Sequence, residues 1–167
     1  MATIGELVTA LAEWVEPEDT SQDVGLRLAS TVDGPASGDE IEAAWGDAAL
    51  PAELVELWRC CRSARLFVDV DYGQWGLRLL TPAESAERTA QELVARAAEQ
   101  RPGDVVVAEF LGDLELVVVA GGGSTAAVLV ALPLDERAGW WVAAPSVADF
   151  LATYLAAAGD KFWEERR

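Results

Sequence analysis

The apolar pattern is densest at residues 104–120, DVVVAEFLGDLELVVVA. Val105–Phe110 and Leu114–Val119 are β-branched, apolar runs, and Gly112-Asp113 between them suits a two-residue type II′ hairpin. In that register Leu111 faces Leu114, Phe110 faces Glu115 and Val107 faces Val118. One sheet face then carries Val107, Glu109, Leu111, Leu114, Leu116 and Val118. The other carries Val106, Ala108, Phe110, Glu115, Val117 and Val119. Both faces are mostly apolar, so the hairpin is expected to be central and covered on both sides.

Helical spacing governs much of the rest. Residues 3–15 hold Ile4, Leu7, Val8, Leu11 and Val15 at helical intervals, behind a Thr3–Glu6 capping box and before Pro17. Residues 16–38 are acidic and rich in turn formers and predict a loop, with VGLRLAS (24–30) as a short strand. Asp39–Trp45 and Pro51–Cys61 predict two helices, the second with an inward stripe of Leu54, Leu57, Trp58 and Cys61. Leu66–Val70 and Trp75–Leu80 predict a second hairpin around Asp71–Gln74. If Val70 pairs with Trp75, Leu66 and Val68 meet Leu79 and Leu77, and Asp69 lies diagonally from Arg78 as a weak charge pair. Thr81-Pro82-Ala83-Glu84 is a helix start, with a Thr cap, Pro in the first turn and Glu three residues after the cap. That helix is expected to reach Glu99, with Ala86, Ala90, Leu93, Val94 and Ala97 inward and Glu84–Arg88 and Glu92–Arg96 paired along it. Ala126–Leu132 and Trp140–Ala143 predict two more strands. Ser146–Ala158 predicts a last helix with Val147, Phe150, Leu151, Tyr154, Leu155 and Ala158 as its stripe. Strands beside amphipathic helices in this order predict an α+β domain spanning residues 1–167, without repeats or an inter-domain linker.

Charge narrows the function classes. Lysine and arginine number 12 against 29 aspartates and glutamates, a formal charge of −17. This opposes direct contact with nucleic acid or an anionic membrane surface, and favours a basic protein partner or simple solubility. Residues 1–60 hold 13 acidic and 2 basic residues, so the first third is a candidate electrostatic face or the solvated side of its helices. Histidine is absent, which removes the commonest general base and the commonest metal ligand. Cys60 and Cys61 cannot complete a thiolate zinc site alone, and a bridge between neighbours would be strained. Reduced thiols, and hence the cytoplasm, are expected. Neither a signal peptide nor a membrane span is expected, because no basic N-terminal region and no apolar run of spanning length is present.

Four constellations bear on chemistry. Asp69-Val70-Asp71 on a strand would place two carboxylates on one face, as a divalent metal beside a sugar nucleotide requires, but Asp71 also begins a turn, an ordinary place for Asp. The structural reading is preferred, with the pair in a turn and on the surface. Glu109 and Glu115 point to opposite faces in the register above, so a shared acid/base site is not expected; each satisfies a backbone or Arg donor or sits near a rim. Gly121–Thr125 lacks the GK[ST] and the following helix of a phosphate loop. Trp45, Trp58 and Trp75 fall at core positions, whereas an exposed pair among Trp140, Trp141 and Trp163 would mark a partner surface.

The order of these segments resembles the SUKH superfamily, which includes the Smi/Knr-type cell-wall-assembly regulators. The resemblance rests on Asp39–Trp45 running into Leu50-Pro51-Ala52-Glu53-Leu54, then TPAES (81–85), Phe110-Leu111-Gly112-Asp113, VLVALPLD (128–135) and Ser146–Leu151. It covers residues 37–158 and leaves 1–36 outside. Where members often carry a Gly-rich turn after the Leu-Pro helix, Cys60–Ala64 stands here. The resemblance implies a single, mostly antiparallel multistranded sheet with helices packed on it. It implies a non-enzymatic binding role with no catalytic residues, cofactor or metal, and many bacterial members are immunity proteins that neutralise toxins acting on nucleic acids. A constitutive interaction module, with a homodimer allowed, is the alternative; an enzyme using Asp69 and Asp71 is the third. The bias to Ala and Arg with a single Lys, Lys161, fits a GC-rich bacterial genome. For a basic partner such as a toxin domain, the expected contact residues are Glu13, Glu16, Glu18, Asp19 and Asp23 as the steering surface. Asp71 and Tyr72 on the turn are expected to add to them, with Tyr72 as the aromatic anchor.

Overall fold

The computed structural model describes residues 1–17, 27–121 and 126–166. Among the described residues seven strands form one sheet: β1 (Leu28–Val32), β2 (Ala64–Asp69), β3 (Leu77–Leu79), β4 (Val105–Phe110), β5 (Leu116–Val119), β6 (Val128–Ala131) and β7 (Trp141–Ala144). Each strand lies beside its neighbours in the chain, and every pairing is antiparallel. The helices among the described residues are α1 (Ile4–Ala12), α2 (Gly38–Trp45), α3 (Ala52–Cys60), α4 (Pro82–Ala95) and α5 (Val147–Ala156). The architecture is α+β. The strand expected at 24–30 begins later, at Leu28; residues 24–26 lie outside the described residues.

The β4–β5 hairpin is central, and its register near the turn is the expected one: the Phe110 amide donates to the Glu115 carbonyl, and Glu109 pairs with Leu116. Two details differ. Leu111 does not close a two-residue turn against Leu114; its amide donates to the Gly76 carbonyl, and Leu114 is exposed. A bulge between Val106 and Ala108 shifts the pairing, so Val106, not Val107, lies opposite Val118. Val106 therefore joins Leu116 and Val118 on one face, while Val105 and Val107 join Ala108, Phe110, Val117 and Val119 on the other. A bulge re-aims side chains in this way at the expense of one ladder position.

The β2–β3 hairpin departs further. Leu66 pairs with Leu77 rather than Leu79, a shift of two residues, and Arg78 lies opposite Arg65. One residue of the shift arises at Phe67, whose φ is +52°, and the other in the turn, where the Asp69 amide rather than that of Val70 meets Trp75. An extra residue on β2 opposes Ser30, whose hydroxyl accepts the Phe67 amide at 2.9 Å. The bulge turns the Phe67 ring into the core, edge-on to Trp14 at 4.8 Å and Tyr154 at 5.1 Å. The expected Asp69–Arg78 pair does not form; Arg78 is bound by Glu109, its partner across β4, and by Glu84.

α1, α3 and α5 cover one face. Their stripes of Ile4, Leu7, Val8 and Leu11, of Leu54, Leu57, Trp58 and Cys61, and of Val147, Phe150, Leu151 and Tyr154 are buried as their spacing predicts, whereas Leu155 and Ala158 are only half-buried and α5 ends at Ala156. Each fully buried large aliphatic side chain contributes about 1.5–3 kcal/mol, so this larger core carries most of the apolar stabilisation. Phe162 and Trp163 complete it from the C-terminal side. α1 has the expected capping box but ends at Ala12, which leaves Val15 outside the stripe and exposed.

α4 covers the other face, over Leu80, Val106, Leu116, Val118, Leu129, Ala131 and Trp140. Its capping box forms between Thr81 and Glu84, but the stripe is not the expected one. Pro82, Ser85 and Thr89 face inward, whereas Leu93 and Val94 are exposed, and the helix ends at Ala95. The reason is polar: Ser85 and Thr89 hydrogen-bond the Val106 backbone. Both expected pairs along the helix are also replaced. Glu84 binds Arg78, Arg88 binds Glu92, and Arg96 donates to the carbonyls of Leu132 and Asp135. Trp140 is buried under the guanidinium groups of Arg96 and Arg137, and Trp163 is buried too, so these two do not form an exposed aromatic pair.

Candidate partner-binding rim

β2 and β4 run in the same direction, as alternate strands of an antiparallel sheet must, so the turns that follow them emerge at one end. The two turns touch. Leu111 donates to Gly76, and a Cβ on Gly112 (φ +88°) would lie 2.0 Å from the Gln74 carbonyl oxygen. Only glycine fits both that conformation and that approach.

The β2–β3 turn is organised by Asp69. Its buried carboxylate accepts the Asp71 amide at 2.9 Å, and its carbonyl accepts the Gly73 amide. This local ring of bonds is ordinary turn chemistry for Asp. Contrary to expectation Asp69 is neither in the turn nor on the surface: it ends β2 and is buried, whereas Asp71 lies in the turn and is exposed, and the two carboxylates have different partners. Tyr72 projects outward at 78% exposure, beside Val70 at 51%.

β1 enters at the same end. The Arg27 carbonyl accepts the Val70 amide at 2.9 Å, and the Arg27 guanidinium grips Asp71 as a fork, Nε–Oδ2 3.1 Å and Nη2–Oδ1 2.6 Å. These hydrogen bonds hold the Asp71 carboxyl below its ordinary range and Arg27 above its own. Glu16 accepts the Leu28 amide at 3.3 Å and adds its field to Arg27. Three residues before it, Glu13 is exposed at the C-terminal end of α1, and Val15 between them is 81% exposed.

The β4–β5 turn supplies the remaining part. Lys161 reaches both Asp113 and Glu115 at 2.6 Å, with its ammonium 5.0 Å from the Phe110 ring centre and 5.8 Å from that of Trp75. Burial pushes the Glu115 carboxyl up, and Lys161 only partly offsets it. Burial also works against the Lys161 charge, but Asp113 and Glu115 outweigh it and hold the ammonium above its ordinary range. Leu114 stands out at 74% exposure.

The rim thus combines exposed Val15, Val70, Tyr72 and Leu114 with the carboxylates of Glu13, Glu16, Asp71, Asp113 and Glu115. Among the described residues, Arg27 and Lys161 at this rim are both held by carboxylates. Of the residues expected from sequence, Glu16, Asp71 and Tyr72 are brought to this end, with Glu13 exposed three residues before Glu16 in the chain; Glu18, Asp19 and Asp23 lie outside the described residues. Sequence reasoning missed Val15, Arg27, Val70, Asp113, Leu114 and Lys161. The signal for Leu114 was present, since a residue beside a turn is easily left out of the ladder; nothing in spacing joins Lys161 to Asp113, 48 residues away.

The rest of the surface offers less. A cleft of about 250 Å³ on the α4 side is lined by Arg78, Glu84, Glu87, Arg88 and Glu109, and Arg78 there is bound by both Glu84 and Glu109 at 2.9 Å. Glu109 and Glu115 do point to opposite sides and take Arg78 and Lys161 respectively. Both cysteines are free thiols; burial raises Cys60 and pushes Cys61 up to about 12, so neither is an activated thiolate at neutral pH. Among the described residues no group of three or more His, Cys, Asp or Glu could hold a metal ion, and no helix is long and apolar enough to cross a membrane. Compared with models of known protein families and with curated proteins, the chain matches none.

Proposed function

We propose that this chain is a non-enzymatic protein-binding domain of SUKH type that neutralises a basic toxin domain, a nuclease or another enzyme acting on nucleic acid. The observation that carries the reading is the rim: four exposed apolar side chains, Tyr72 among them, set among carboxylates at one end of the sheet. A surface that must hold phosphates is electropositive, and an inhibitor of charge −17 is steered to it. The apolar residues then supply contact area that steering alone does not, with Tyr72 as the anchor. Binding blocks the nucleic-acid substrate without any chemistry by the inhibitor. The free thiols are consistent with action in the cytoplasm.

The test mixes the purified protein with the catalytic domain of a toxin encoded beside it and follows nuclease activity. Stoichiometric inhibition, with a complex on size exclusion, is expected. Absence of a complex, or a complex that leaves activity intact, overturns the toxin reading in favour of a constitutive interaction module.

A further inference from the structure

We propose that Arg27 is a built-in competitor for the rim: in the free protein it occupies the Asp71 carboxylate that an arginine of the partner takes on binding. This deepens the proposed function and rests on its reading of the rim as the contact surface.

The fork shows what chemistry Asp71 accepts. A guanidinium sits on it in the two-bond geometry that distinguishes arginine from lysine, through Nε and Nη2. The pair is exposed, with 70% of the Arg27 side chain and 42% of the Asp71 side chain accessible. An exposed pair of this kind adds little to stability, because water competes for both charges, so exchanging one guanidinium for another is nearly neutral for the fold. Asp71 itself is fixed from below: its amide is bound by Asp69, and the neighbouring Val70 amide by the Arg27 carbonyl. The backbone that carries the carboxylate therefore stays in place when the Arg27 side chain leaves. Val70 and Tyr72 flank it and are exposed, so a docked partner would remove water around Asp71 and strengthen a fork made there. Arg27 displaced from Asp71 still has Glu16, whose field it already feels.

The prediction runs against the usual effect of deleting an interface residue. Arg27→Gln should raise the affinity of the co-encoded basic domain 3- to 10-fold, and Asp71→Asn should lower it. The double variant should lie close to Asp71→Asn alone, because the competition is for the Asp71 carboxylate. Arg27→Gln also makes the protein more acidic, so the control is Arg62→Gln. It changes the charge equally and breaks a similar pair, Arg62–Glu40, at the opposite end of β2. It should leave affinity within 2-fold. The same four proteins are titrated against a fluorescent nona-arginine peptide, which needs no toxin. A gain with Arg27→Gln but not Arg62→Gln, lost in the double variant, supports the competitor role even where no toxin complex forms; the toxin reading alone then falls. Equal gains for both variants, or a loss with Arg27→Gln, overturn the competitor role.

Discussion

The backbone amide of Val106 donates to the Thr89 hydroxyl at 2.9 Å, and its carbonyl accepts the Ser85 hydroxyl at 2.5 Å. β3 spans only Leu77–Leu79, and its last contact with β4 is Leu80 to the Val107 carbonyl. Beyond that point two α4 hydroxyls stand where a strand would. The Thr89→Val variant keeps the shape and leaves a buried amide unpaired, at an expected cost of about 1–3 kcal/mol. Urea denaturation measures it, and hydrogen exchange should show lost protection at Val106 in particular. Thr89→Ser should recover most of the bond. A loss below about 0.5 kcal/mol for Thr89→Val would mean that the amide finds another partner.

Gly112 and Gln74 define the contact between the two turns. Gly112→Ala meets the Gln74 carbonyl at 2.0 Å and requires φ of +88° from a residue with a side chain. Destabilisation above about 1 kcal/mol is expected. Gly34→Ala is the comparison: it has open space and no positive φ, so it should be neutral or slightly stabilising. If both behave alike in thermal denaturation, the turns are not coupled through this approach.

What was legible in the sequence follows from what local physics determines. The stripes of α1, α3 and α5 were readable because apolar spacing alone sets which side of a helix is buried. The α4 stripe was not: Leu93 and Val94 have the right residue types, yet Ser85 and Thr89 won because the short β3 leaves Val106 needing partners, a tertiary demand. The hairpin register near Gly112 was readable from its turn, but the bulges at Val107 and Phe67 were not, since neither residue type signals one. At the rim, exposed Tyr72 and Asp71 followed from turn composition. The joining of Arg27, Asp71 and Glu16, and of Lys161, Asp113 and Glu115, depends on strand order, which spacing along the chain does not encode.

Glu115 and Glu84 should give opposite pH signatures. Burial holds the folded Glu115 carboxyl above the ordinary 4.5, so the folded state binds its proton more tightly. Its contribution to stability is present below 4.5 and lost as pH rises through the folded value. Burial also works to raise Glu84, but bonds from Thr81 and Arg78 outweigh it and leave the carboxyl below 4.5. Its contribution is present above 4.5 and lost as pH falls through the folded value. Glu115→Gln should therefore gain on the wild type as pH rises from 4.5 towards neutrality. Glu84→Gln should lose most at neutrality and recover as pH falls. Lys161→Met leaves Glu115 facing Asp113 and Glu164 without its cation, and should cost about 1–3 kcal/mol at pH 7, discounted because the cluster reaches solvent on one side. Denaturation curves across pH 3.5–8 decide the signs; parallel profiles for the two glutamine variants would refute the assignment.

Steering and anchoring at the rim should separate kinetically. Glu16→Gln with Asp113→Asn removes two rim charges while each new amide can still accept the bond its carboxylate took from Leu28 or Glu115. Glu42→Gln with Asp47→Asn removes the same charge from exposed positions on and just after α2. If the rim steers a basic partner, the first pair slows association several-fold at physiological salt and the second by less than 2-fold. The difference should collapse with added salt, because the screening length falls from about 8 Å to about 3 Å at 1 M. Tyr72→Ala carries no charge change, so association should hold within 2-fold while dissociation accelerates by about 10-fold or more, as loss of an aromatic anchor does. Stopped-flow mixing with the co-encoded basic domain separates the two rates. Equal slowing by both charge pairs would reduce steering to net charge alone, and unchanged dissociation of Tyr72→Ala would move the docking surface away from this end of the sheet.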